Sequence, residues 1–252
     1  MILARQRAVS GYSLFELLAV IIIVGVVAAV AMRSLRGTVD LSRTEETKQE
    51  MDHLAWAIAG NPNLVSGGVR TDFGYVGDIG AVPLNLDGLV TNPGYANWDG
   101  PYIHDAYYAA SGGSESEFKY DGWGKEYAYT GDSIISTGGG TTICRRVAYS
   151  IGDLTSNEVQ VLVIDLNNTP PGSDANSVEL KLSYPNGTGS DTTVTRNPQG
   201  NGFVAFSSVP VGHHSLLVIY TDDPTYDTLY RKAVVYPGES FYTEITFGAD
   251  YW

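Results

Sequence analysis

The chain has 252 residues, long enough for one large domain or two small ones with buried cores. Hydrophobic residues make up 43% and charged residues 17%, which argues against a disordered chain, and 29 glycines with 17 tyrosines favour turn-rich β structure over a helical bundle. The formal charge of -13 at pH 7 argues against nucleic acid as a partner, because phosphate binding needs a basic footprint that 15 Lys and Arg spread over the chain do not supply.

Residues 1 to 11 read MILARQRAVSG, with Arg5 and Arg7 and no acid, and they precede an uncharged apolar stretch from Leu17 to Met32. Counted from Tyr12, about 21 residues come before Arg33, and at a helical rise of ~1.5 Å they span roughly the 30 Å of a bilayer core. The positive-inside rule keeps Arg5 and Arg7 cytoplasmic and places the chain after Arg33 on the other side. Ala29-Val30-Ala31 offers an A-x-A pattern for an ordinary secretory signal, and a plain signal anchor fits the same run. Neither accounts for Glu16, whose carboxylate costs on the order of 2.5 to 3.5 kcal/mol near a bilayer centre and less toward its edge.

The octapeptide Gly11-Tyr12-Ser13-Leu14-Phe15-Glu16-Leu17-Leu18 resembles the prepilin motif of type IV pilins and type II secretion pseudopilins. The resemblance covers about twenty residues, and Tyr12 stands where phenylalanine is more usual. It implies that a prepilin peptidase cuts after Gly11 and methylates Tyr12, leaving Glu16 as the fifth mature residue. The α-ammonium of Tyr12 in one subunit and the Glu16 carboxylate of a neighbour then neutralise each other in a low-dielectric filament core. The implied partners are the peptidase, an inner-membrane assembly platform and further copies of the chain. The implied location is the bacterial inner membrane before assembly, with the globular part periplasmic or exterior, and a periplasmic or extracellular filament afterwards.

Past Arg33 a helical period continues weakly through Leu35 and Val39, then clearly through Met51, Leu54, Ala55 and Ile58. Gly60-Asn61-Pro62 is a stop signal, which predicts one helix from about Ser13 to about Ala59, roughly 70 Å long. Gly25 and Gly37 each disfavour its interior by ~1 kcal/mol relative to Ala. Residues 61 to 153 are rich in Gly, Pro, Asn, Asp and aromatics and read as loops wrapped on a small antiparallel sheet. Within them, Trp98-Asp99-Gly100-Pro101-Tyr102, Asp121-Gly122-Trp123-Gly124, Tyr127 and Tyr129 are similar to the head of the type II secretion major pseudopilin. That resemblance implies a calcium-binding loop beginning at Asp153. Calcium takes six to eight oxygens, and only Ser156, Asn157 and Glu158 lie close by in sequence, so the carry-over is incomplete and no other cofactor is expected. Cys144 is the one cysteine, which excludes an intramolecular disulfide, and as a free thiol it is expected among the buried small residues.

From Glu158 the pattern turns to β alternation, clearest in Val178 to Tyr184 and closed by Pro185-Asn186-Gly187. Further strands are expected at Gln160 to Asp165, Thr192 to Arg196, Phe203 to Phe206, Ser215 to Tyr220, Leu229 to Tyr236 and Phe241 to Phe247. Seven short strands predict a β-sandwich. The segments Val161 to Asp165, Gly202-Phe203, Val209-Pro210-Val211-Gly212 and Leu216-Leu217-Val218 resemble a carboxypeptidase regulatory-like or transthyretin-like module, which binds or braces. His213 and His214 are adjacent in a strand and point to opposite faces, so they do not share a metal. No nucleophile elbow, P-loop, H-E-x-x-H or dinucleotide fingerprint is present, and no enzyme is expected.

The sequence therefore predicts an α+β protein: a leader over 1-11, a hydrophobic and then amphipathic helix over 12-60, a pilin-like head over 61-153 and a β-sandwich over 158-252. The expected role is a filament subunit, most simply a type II secretion pseudopilin. A surface-displayed pilin or adhesin, or a membrane-anchored binding protein, is the alternative.

Overall fold

The computed structural model describes residues 13–103, 117–222, 227–249, 251 and 252. It is a mixed α+β protein that resolves into two compact units, with the break between Glu46 and Thr47.

Helix α1 runs over Leu14–Ala59, 46 residues. It stops where expected because Gly60 takes up the left-handed conformation at φ 81° and its N–H closes onto the Trp56 carbonyl at 2.6 Å. The last carbonyls of the helix are satisfied from outside. The buried guanidinium of Arg70 donates from Nη2 to the carbonyls of Ala59 and Gly60, and from Nε to that of Asp72. A cation at a helix C-terminus is also favoured by the helix dipole. The Asp72 carboxylate completes the stop by accepting from Asn61 N at 2.7 Å and Gly74 N at 3.0 Å.

In the second unit the helix buries Thr47, Met51, Leu54, Ala55 and Ile58, a stripe at helical spacing. These pack with Phe73, Tyr75, Val76 and Ile79 around helix α2 (Gly74–Ile79), with Leu86 and Leu89, and with Ile134. Ile134 belongs to a three-stranded antiparallel sheet of β3 (Ala128–Tyr129), β4 (Ser133–Ser136) and β5 (Ile143–Arg146); β1 (Val65–Ser66) and β2 (Val69–Arg70), numbered ahead of them, form a short hairpin. Cys144 corrects the expectation of burial. It sits on edge strand β5, where alternation turns Cys144 and Arg146 to solvent and leaves Ile143 half-buried.

After helix α3 (Ile151–Thr155), the chain makes β6 (Asn157–Ile164), β7 (Val178–Pro185), β8 (Asp191–Arg196), β9 (Phe203–Val209), β10 (Gly212–Tyr220), β11 (Thr228–Val235) and β12 (Phe241–Thr246). They form a four-stranded sheet in the order β11-β10-β7-β8 and a three-stranded sheet in the order β12-β6-β9. All the pairings are antiparallel except β12 with β6, which is parallel, with Phe241 opposite Val159 and Ile245 opposite Val163. Every strand except β8 sends fully or almost fully buried apolar residues into one core, among them Val161, Leu180, Phe206, Leu216, Val235 and Ile245.

These sheets are bonded to the head. Gly187 N donates to the Ile79 carbonyl at 2.8 Å, Val211 N to that of Leu154 at 2.9 Å, and His213 meets the Phe73 ring edge-on at 5.3 Å. His214, on the opposite face of β10, is buried with its ring edge toward Tyr184. Its Nε2 lies 2.7 Å from the Pro210 carbonyl, which can only accept, so Nε2 carries the proton and Nδ1 is a buried bare acceptor without a partner.

Burial pushes the His214 pKa below the ordinary histidine value, against the raising effects of Pro210 and Asp191 and with a lowering one from His213. A base whose folded pKa is depressed adds stability above its unfolded value of about 6.5 and loses it as pH falls toward the folded value, because the unfolded chain takes up the proton first. Melting temperature should therefore drop between pH 7.5 and 5.5, and thermal melts of His214→Phe should show a smaller drop than the wild type.

Candidate functional site

Gly11 and Tyr12 lie outside the described residues. Glu16 lies in the first turn of α1, and the local geometry gives it a definite task. Ser13 Oγ accepts from Glu16 N at 3.2 Å, and Glu16 Oε2 accepts from Ser13 N at 2.9 Å. This reciprocal pair is a capping box, satisfying two backbone donors that a helix start otherwise leaves unpaired. The S-x-x-E spacing at Ser13 to Glu16 carries that signal in the sequence. A carboxylate has two oxygens and room for several donors, so Oε2 can serve the cap while Oε1 retains capacity for a further partner.

The capping box opens a strongly apolar surface. From Leu14 to Met32 the large apolar side chains are all exposed, from Leu14 at 87% to Leu18 at 51%. The segment is long and apolar enough to cross a membrane, and none of its most apolar window is buried within the protein. Exposure on every side of the helix distinguishes it from the amphipathic stretch at Met51 to Ile58, which has one buried stripe. Gly25 and Gly37 have open space where a Cβ would stand.

Asp153 is accounted for by local structure. It is the third residue of α3, its carboxylate accepting from Ser150 Oγ at 2.9 Å and Ser150 N at 3.1 Å, while Ser150 Oγ accepts from Asp153 N at 3.2 Å. Its carbonyl receives Asn157 Nδ2 at 3.0 Å and Gly238 N at 3.1 Å, tying α3 to the β11–β12 turn. Glu158, the nearest other acid in sequence, accepts from Gln160. Among the described residues no group of three or more His, Cys, Asp and Glu side chains is placed to hold a metal ion. Asp153, Ser156, Asn157 and Glu158 line one open cavity together with Ser207, Ser208, Glu239 and Ser240.

The aromatic motifs of the head brace loops. Trp98 Nε1 donates to the Gly88 carbonyl at 2.9 Å, and Tyr102 donates to Asp78 at 2.8 Å and meets Trp98 edge-on. Tyr127 donates to Glu50 of the helix at 2.8 Å, and Gly122 N donates to Thr47 Oγ1 at 3.0 Å. The buried Asp121 carboxylate organises the loop itself: Oδ1 accepts from Trp123 N and Lys125 N, and Oδ2 from Ser136 Oγ and Gly138 N, all between 2.6 and 3.0 Å.

No protein-family model and no curated protein sequence matches this chain. Among solved structures, a 9R-lipoxygenase from Cyanothece PCC8801 aligns over 41% of this chain and 17% of its own, at 19% identity and a TM-score of 0.20. The chain thus spans under a fifth of that protein's length, and a similarity this slight carries no argument about fold or activity.

Proposed function

We propose that the chain is a pilin-like filament subunit, cut after Gly11, anchored by α1 before assembly and polymerised through it. The observation that carries this reading is the all-round apolar surface of Leu14 to Met32, which needs lipid or other copies of the same segment to cover it, with one carboxylate at its start. In that reading the two sheets after α3 form a β-sandwich displayed away from the membrane. A type II secretion pseudopilin is the simplest system for such a subunit. A displayed pilin or anchored binding protein is favoured by one feature, the open groove between β11 and β12 lined by Tyr236, Phe241, Tyr242 and Lys232.

The capping box makes a sharper test available than removal of Glu16. Glu16→Gln keeps the S-x-x-Q cap and deletes the charge, so it separates helix initiation from charge neutralisation. Processing at Gly11 is expected to survive in Glu16→Gln and in Glu16→Leu, and filaments recovered by shearing are expected to vanish in both. Wild-type filament yield in Glu16→Gln would reduce Glu16 to a helix cap. Intact mass of the native protein supplies the companion measurement: a methylated start at Tyr12 supports the pathway, and a start at Met32 replaces it with ordinary secretion.

A further inference from the structure

We infer that the region where β11 turns into β12 is a saccharide site, a cleft for an oligosaccharide that carries no acidic groups. The inference deepens the binding reading raised by the β11–β12 groove and rests on it; it does not require α1 to polymerise.

Two cavities adjoin there. One, of about 430 Å³, is the groove already described, with Tyr236, Phe241 and Tyr242 along it. The other, of about 610 Å³, lies beside Asp153, Glu158 and the serines of β9. Glu239 and Ser240 line both, so the cleft has an aromatic half and an oxygen-rich half. Each volume falls in the range of about 300–1,000 Å³ usual for small-molecule sites.

Local structure fixes both halves in advance. β11 and β12 are outer strands of their sheets, and the loop joining them is held by Gly238 N, which donates to the Asp153 carbonyl at 3.1 Å and to Asn157 Oδ1 at 2.9 Å. On β9, Ser207 and Ser208 stand against the single residue Glu158 of β6, because the register slips between Asn157 and Val159. This is a bulge, with Ser208 at φ 60°, and it leaves both serines exposed where strict alternation would bury one.

The chemistry of the lining selects the ligand class. Tyr220, Phe247, Tyr251 and Trp252 pack against one another, whereas Tyr242 is 55% exposed and meets no other ring among the described residues. The negative face of such a ring attracts the weakly positive C–H face of a sugar, and both lose water on contact. Lys232, Glu239 and Ser240 have no hydrogen-bond or ion-pair partner among the described residues. A donor, an acceptor and a group that does both therefore stand free beside the rings, which matches hydroxyls that donate and accept. The carboxylate and serine oxygens of the other half extend that pattern. Three carboxylates, Asp153, Glu158 and Glu239, against one lysine repel acidic polymers, the more so in a chain of net charge -13. A peptide added as a strand needs pockets for alternate side chains, and no apolar side chain lines the oxygen-rich half.

The test applies the full chain, in a detergent without a sugar headgroup, to an array of neutral and amino-sugar oligosaccharides, with uronate and sulfated oligosaccharides and unrelated peptides alongside. Retention on the acid-free saccharides is expected. Tyr242→Ala and Glu239→Gln are each expected to weaken it about tenfold. Tyr230→Ala removes a tyrosine of like exposure, 53%, that is bonded to Ser215 outside the cleft, and is expected to leave retention unchanged. No retention, a preference for acidic saccharides or peptides, or an equal loss in Tyr230→Ala would overturn the site. Filament yield from the same strains separates the readings. Filaments without saccharide retention overturn the site and leave the filament standing; retention without filaments supports the site and leaves an anchored binding protein.

Discussion

Gly60→Ala should destabilise the second unit by more than about 3 kcal/mol. Gly60 sits at φ 81°, where an L side chain already costs about 1–2 kcal/mol. A Cβ there would also stand 2.2 Å from the Asp72 carbonyl oxygen and 2.5 Å from Phe73 Cα, backbone atoms that cannot swing aside. Moving them disturbs the bonds that Arg70 and Asp72 make around the end of α1, so the helix loses its stop and the head loses its attachment together. Thermal melts of the detergent-solubilised full chain check this, with Gly37→Ala as the control. Gly37 has a helical φ and open space around it, so there the substitution should add about 1 kcal/mol.

The second large effect is expected at Asp121. Asp121→Ala removes the acceptor of four donors at once and leaves Ser136 Oγ and the N–H groups of Trp123, Lys125 and Gly138 without it, for a loss of about 4 kcal/mol. In a unit of this size that corresponds to a fall in Tm of about 10 °C. Burial acting alone would raise the Asp121 pKa; the Ser136 hydroxyl and the three backbone donors outweigh it and hold the carboxyl below its ordinary value. An acid with a depressed folded pKa contributes its stability above the unfolded value, about 3.9, and loses it as pH falls through the folded value. Asp121→Asn should therefore be less stable at neutral pH, and its melting temperature should change less than that of the wild type as pH is lowered from about 5 to 2.

Local signals were readable from sequence, and pairings between distant segments were not. The bounds of α1 follow from an apolar run and a Gly-Asn-Pro stop, and the Val178 to Tyr184 strand follows from its alternation, because neighbouring residues settle both. The Ser13 to Glu16 capping box was equally local and was passed over, since a carboxylate beside an apolar run attracts an explanation in terms of the membrane first. Arg70 gave no signal: its role depends on carbonyls ten and eleven residues away that meet it only after the hairpin of β1 and β2 folds back. Asp121 was quoted as part of a motif, but Ser136 and Gly138 reach it only through the path of β4. Cys144 was placed by the average behaviour of free cysteines, whereas its exposure depends on β5 being an edge strand.

The parallel pairing of β12 with β6 has a consequence for how the chain is made. Strand β6 is the middle strand of its sheet, yet its two neighbours follow it by about forty and about eighty residues in a chain that emerges from the N-terminus onward. Until β9 and then β12 have been made, the strand Asn157–Ile164, with three valines, an isoleucine and a leucine among its eight residues, lacks a partner on one or both backbone edges. Completion of the sheet must therefore outrun self-association of that strand, and a pause between Gly212 and Phe241 is the moment when its β12 edge is most in need of cover.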